Sequence, residues 1–187
     1  MEWCLSSQVL RSGFIEEVEK KSEQRVNDCY QCGMCTGGCP VTFYMDYPPN
    51  QIMRMIQLGM REKVLSSKTI WVCASCHTCT TRCPKEVDLA EVMDTLRQMA
   101  YQEGRKAAVE EVQIFHQIFL ENVRRYGRQY EMGLVGNYNL NSGHFFKDIK
   151  QAPKLFFRGK LKMLPRRIDV RKMKGIFRKI TNLENKA

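Results

Sequence analysis

Two copies of one cysteine string constrain this chain more than any other feature of its 187 residues: Cys29, Cys32, Cys35 and Cys39 before Pro40, then Cys73, Cys76, Cys79 and Cys83 before Pro84. Each copy reads C-x2-C-x2-C-x3-C-P, the bacterial-ferredoxin run in which thiolates hold four-iron clusters. Three cysteines spaced by three residues can surround one side of a cluster from a single tight loop, and the fourth iron then needs a sulfur from elsewhere. In two-cluster ferredoxins the last cysteine of each run ligates the other cluster. The expected ligand sets are therefore Cys29, Cys32, Cys35 and Cys83 for one cluster and Cys73, Cys76, Cys79 and Cys39 for the second. Pro40 and Pro84 favour extended backbone at the cysteine before them, which leads the chain away from its own loop.

Zinc is the competing metal, because C-x2-C pairs also build four-thiolate zinc sites. Zinc sites usually draw their pairs from separated knuckles, whereas four cysteines here crowd into one short run, twice, at matching spacing. A disulfide framework fits worse, since no signal peptide is recognised and clustered cysteines are poor loop-closing staples. A reducing, cytoplasmic setting is expected. Cys4 stands outside both runs and reads as a free thiol. His77 lies inside the second run, but a Rieske-type centre needs two histidines in place of two cysteines and none of the cysteines is missing. His77 is expected to tune its neighbour or simply to face solvent.

The formal net charge of +10 suggests nucleic acid until it is located. Residues 1–149 hold 17 Lys or Arg against 18 Asp or Glu, and residues 150–187 hold 13 against 2. The excess is all in the tail. Eight thiolates around two oxidised cubane cores would remove about four further charges from the cysteine region. The polarity is thus an acidic cluster domain with a basic tail able to meet an acidic partner, a membrane surface or nucleic acid. No apolar run approaches the roughly 20 residues that span a bilayer.

Helical periodicity dominates the rest. Val9, Phe14, Val18 and Val26 mark an amphipathic arm; Pro49 suits a first helical turn ahead of Ile52, Met55, Ile56 and Met60. Asp88 can cap a helix with Glu91 three residues on, and Val92, Met93, Leu96 and Met99 form its buried stripe. A further helix runs from Val109 through Val112, Phe115, Ile118, Phe119 and Val123 to Gly127, with His116 at its rim. Residues 128–149 read as a turn-rich linker, and the tail ends in a basic amphipathic helix carrying Val170, Met173, Ile176, Phe177 and Ile180. The fold class is all-α, an α-helical ferredoxin with two cluster-binding loops: arm 1–25, ferredoxin domain 26–127, linker and basic partner-docking tail 128–187. The methionines are core fillers. No dinucleotide fingerprint and no paired acid–base constellation is present, so the chain reads as an electron relay with no substrate-converting site of its own. The amides of Gly33, Met34, Ala74 and Ser75 are expected donors to cluster sulfur.

Specific strings around the cysteines sharpen this reading. Tyr30-Gln31, Gly37-Gly38, Met45-Asp46-Tyr47-Pro48, Gln51-Ile52, Arg54-Met55, Ile70-Trp71, the string Cys73 to Pro84 and Val92-Met93-Asp94 together resemble the C subunits of heterodisulfide reductases over residues 25–105. The resemblance implies two [4Fe-4S] clusters on the eight run cysteines. It also implies a relay from a flavin- and iron–sulfur-containing A subunit to a catalytic B subunit that cleaves the coenzyme M–coenzyme B heterodisulfide in methanogenesis. Similar modules serve bacterial complexes of sulfur metabolism or methylenetetrahydrofolate reduction. A nucleic-acid module using the basic tail is the alternative from another class.

Overall fold

The computed structural model describes residues 13–143, 165 and 168–184. Cys4, Val9 and the first part of the basic tail lie outside the described residues. The chain divides into two compact units, residues 1–110 and 111–187, and among the described residues both contain helices and no strand.

In the first unit, α1 (Phe14–Ser22) leads through a 3-10 turn (Val26–Asp28) into the first cysteine run, whose second half is α2 (Met34–Gly38). Helices α3 (Pro49–Gln57), α4 (Arg61–Leu65) and α5 (Thr69–Val72) fill the space between the runs. The second run ends in α6 (Thr78–Thr81), and α7 (Leu89–Gln102) follows. Pro49 occupies the first turn of α3, as its fixed φ and missing N–H favour. Ile52, Met55 and Ile56 are fully buried and Met60 is 7% exposed, so the expected stripe is the core-facing one. Asp88 caps α7 by accepting from the backbone N–H of Ala90 and Glu91 at 3.0 and 3.1 Å. Val92, Met93, Leu96 and Met99 pack into the same core as α3, joined by Phe14 and Val18 from the arm.

Two polar networks tie this core together. Arg61 joins Glu17 of α1 to Glu103 beyond α7 and lies over the Phe14 ring at 5.3 Å, while Arg105 bridges Glu62 and Glu103. The second network is a cap supplied from a distance. Asp46 accepts from the N–H of Lys68 and Thr69 at 2.8 and 2.9 Å and from the Thr69 hydroxyl at 2.7 Å, capping α5, which ends just before Cys73. Burial alone would raise the Asp46 pKa, but the bonds from Thr69, Lys68 and Tyr47 outweigh it and hold the carboxyl below its ordinary 3.8. Its stabilisation is therefore complete above that pH and fades as the pH falls through the lower folded value. Asp46→Ala is expected to cost about 1–2 kcal/mol at neutral pH, at the low end for a charged acceptor because the side chain is exposed to replacing water. Urea melts at pH 7 and pH 3 check this, with the difference from the parent shrinking in acid.

The second unit contains α8 (Glu110–Tyr126), α9 (Glu131–Ser142) and α10 (Val170–Glu184). Helix α8 ends at Gly127 as expected. That position needs glycine twice over: its φ is 76°, and a Cβ there would lie 1.6 Å from the Ile168 carbonyl oxygen. The apolar stripe of α8 is only partly covered, with Phe115 and Phe119 40% and 37% exposed, and His116 sits exposed beside Phe115. Residues 131–142 differ from the turn-rich linker the glycines and asparagines suggest. The buried Asn122 side chain holds both the N–H and the C=O of Tyr130, at 3.3 and 3.1 Å, and so sets the chain at the start of α9. Tertiary anchoring of this kind outweighs the roughly 1 kcal/mol that each helical glycine costs. On α10, Val170, Met173, Ile176, Phe177, Ile180 and Leu183 share one arc, and Arg171, Lys172, Lys174, Arg178 and Lys179 share the other. Among the described residues, no helix is long and apolar enough to cross a membrane.

Candidate iron–sulfur centres

The two cysteine runs adopt the same backbone. Gln31 and Ser75, 44 residues apart, have φ of 67° and 46°; Gly33 and His77, also 44 apart, have φ of 78° and 56°. Each pair places left-handed residues just ahead of a short helix, α2 in one run and α6 in the other, and these two helices pack on each other. This gives His77 a role that its chemistry does not suggest. It occupies the left-handed position that a glycine fills in the first run, with its ring Nδ1 3.7 Å from the Asp88 carboxylate. Asp88 is itself held by the Thr80 hydroxyl at 2.6 Å.

The packing of α2 on α6 brings the runs together in a crossed sense. Cys39, from the end of the first run, lines one pocket with Cys73, Cys76 and Cys79, walled by Val41, Met45, Ala90 and Met93. Cys39 is close enough to Cys73 for its charge to be felt there. On the other side, Tyr30 feels both Cys32 and Cys83: desolvation first, then the charges of those sulfurs, push its phenol above the ordinary value. Cys29 and Cys32 in turn act on Cys35. Burial raises the Cys35, Cys73 and Cys79 thiols, Cys79 to about 11, whereas the exposed Cys76 is lowered by bonds from Thr78.

Four sulfurs around one apolar-walled pocket fit a cubane, whose positive core stabilises the thiolates that burial disfavours. Donors around the sulfurs fit as well. The Ser75 amide, one of the four expected, is directed at Cys73. The amides of Thr36, Thr78 and Thr80 are directed at Cys35, Cys76 and Cys79, and the Gln31 side chain reaches Cys29 Sγ at 3.4 Å. Cysteine spacing alone does not single out these threonines; their signal is a threonine one or two places after a run cysteine. The buried Trp71 Nε1, two residues before Cys73, has no hydrogen-bond partner among the described residues.

The profile of the 4Fe-4S dicluster domain family matches residues 25–87. This stretch is similar to 4Fe-4S dicluster domains. It takes in both runs and the helices between them. Around it the chain is similar to C subunits of heterodisulfide reductases. It is 35% identical over 111 residues to the C2 subunit of the H(2)/formate:CoB-CoM heterodisulfide,ferredoxin reductase of Methanococcus maripaludis, a match that covers 55% of this chain and 60% of that one. It is 43% identical over 82 residues to the second iron-sulfur C subunit of the CoB-CoM heterodisulfide reductase of Methanocaldococcus jannaschii, covering 44% of each. The iron-sulfur C subunit of the Methanopyrus kandleri CoB-CoM heterodisulfide reductase is 36% identical over 106 residues, covering 52% of this chain and 55% of its own length. The chain thus spans about half the length of the curated relatives it matches.

Proposed function

We propose that this chain is the electron-transfer subunit of a heterodisulfide reductase-type complex, passing electrons through two [4Fe-4S] clusters of its dicluster domain. Cys29, Cys32, Cys35 and Cys83 would hold one cluster and Cys73, Cys76, Cys79 and Cys39 the other. The observation that carries the exchanged assignment is the pocket in which Cys39 joins the three leading cysteines of the opposite run. When bound, the clusters supply one-electron redox chemistry. The protein's part is to grip them, donate hydrogen bonds to sulfur and limit water, which together set the potentials.

The relatives are named as C subunits of heterodisulfide reductases, which favours a multi-subunit assembly; in this reading its partners are A and B subunits, with the heterodisulfide or a related acceptor reduced on the B subunit. The basic, amphipathic α10 would dock on such a partner, its apolar arc buried and its cations facing acidic groups. Chemical analysis of anaerobically purified protein tests the core of this reading. About eight irons and eight acid-labile sulfides per chain are expected, with reduced-state EPR signals of four-iron clusters. Zinc without sulfide overturns it. Co-purification of the native protein with flavoprotein and cysteine-rich chains tests the assembly.

A further inference from the structure

The repeat of 44 residues extends beyond the cysteines, and its two halves differ in charge. In the first half the Gln57 side chain donates to the carbonyls of Val26 and Cys29, at 3.0 and 2.9 Å. In the second half Arg97 donates to the carbonyls of Ile70 and Cys73, at 2.9 and 3.0 Å. These acceptors are equivalent, each 44 residues from its counterpart. The donors come from α3 and α7 one helical turn out of register. Each clamp fixes the backbone on which the first cysteine of its run sits, one with a neutral amide and the other with a guanidinium.

The companions of the clamps follow the same pattern. Asn50 bonds Thr36 and reaches Gln31 in the first half, and its counterpart Asp94 accepts from Ser75 at 3.0 Å and from Arg97 at 2.8 Å. The ion pair is lopsided. Arg97 is 19% exposed and bonded to the carbonyl of a run cysteine, whereas Asp94 is 38% exposed and reaches the run only through a serine hydroxyl. Solvent therefore screens the anion more than the cation. In the first half the cations beside the clamp are Arg54, bonded to Gln57 but itself exposed, and Arg25, 83% exposed and paired with Asp28.

We propose that Arg97 makes the cluster gripped by Cys73, Cys76 and Cys79 the more readily reduced of the two, and hence the accepting end of the relay. This rests on the two-cluster reading above. A nearby half-buried cation stabilises the more negative, reduced state. One electron passes between the centres, oxidising the first and reducing the second, and no bond or proton changes place. Arg97 is a positioning residue with an electrostatic consequence, and the two contributions can be separated by substitution.

The test is a redox titration followed by EPR on the cluster-loaded full-length protein, with the second-run centre identified by its loss in Cys76→Ala, which leaves no ligating atom at that position. The higher-potential signal is expected to be the second-run centre. Arg97→Gln, which puts at 97 the side chain that already performs this clamping in the first half, should lower that potential and leave the other in place. Arg97→Lys should restore most of the shift. Asp94→Asn, which keeps the guanidinium and removes its counter-charge, should move the same potential upward. A purely structural role would not give shifts of opposite sign. Unmoved potentials in Arg97→Gln and Asp94→Asn, or a second-run centre that is the lower of the two, overturn the proposal. Iron and sulfide contents of the same samples keep the two questions apart: a full complement with unmoved potentials rejects only the role of Arg97, whereas absent sulfide rejects the two-cluster reading with it.

Discussion

Cys39→Ser is expected to damage the centre gripped by Cys73, Cys76 and Cys79 and to spare the one built on its own run, while Cys83→Ser does the reverse. The reason is geometric. The three leading cysteines of a run sit on one left-handed loop and the first turn of a short helix, and the fourth cysteine lies at or just past that helix's end, where the chain turns extended or leaves the helix. Because α2 packs on α6, the last cysteine of each run would serve the neighbouring run in the proposed assignment. Cys39 reaches the pocket of the second run, and the charges of Cys32 and Cys83 are both felt at Tyr30. Serine can still offer an oxygen, so the affected centre should survive weakly, with altered EPR and a lowered iron content approaching the loss of one four-iron cluster. Damage confined to the run that carries the substitution would reject the exchange.

The second large effect is on stability. Leu96→Ala should destabilise the first unit by about 2–5 kcal/mol, the range for deleting a fully buried leucine in a core that cannot collapse around the gap. Leu96 has no exposed surface and stands in the centre of the α7 stripe, where α7 meets α1, α4, α5 and α6. This helix also carries Arg97 and Asp94, so the loss should reach the second cysteine run before the first. Chemical denaturation of the loaded protein, followed at once by far-ultraviolet dichroism and by cluster absorbance, checks both points. Coincident transitions with an unchanged midpoint would mean that Leu96 is less constrained than its burial implies.

Much of this molecule is legible locally because its signals are local. Pro49 with Ile52, Met55 and Ile56, and Asp88 with Val92, Met93 and Leu96, specify α3 and α7 through capping and periodicity that involve residues within a few turns of each other. The cysteine spacing likewise names its cofactor class without help from the fold, since the reach of one loop around a cluster is a matter of covalent geometry. The helix at 131–142 is not legible in this way, because its start is held by Asn122, a side chain on the preceding helix, against the preference of its own glycines. His77 escapes a local reading for a similar reason: its importance lies in a left-handed backbone that only comparison with Gly33 reveals.

From its residues alone, this chain determines that it is helical, that it carries two four-cysteine runs and that its net positive charge lies in the tail. Only the tertiary structure decides that α2 and α6 meet, that Cys39 stands among the sulfurs of the other run, and that a neutral amide clamps one half where a guanidinium clamps the other. Gln57 and Arg97 reach their carbonyls from 28 to 31 and from 24 to 27 residues away. Contacts between distant residues are set by how whole helices pack, and helix packing has no signature in the short-range pattern of a sequence.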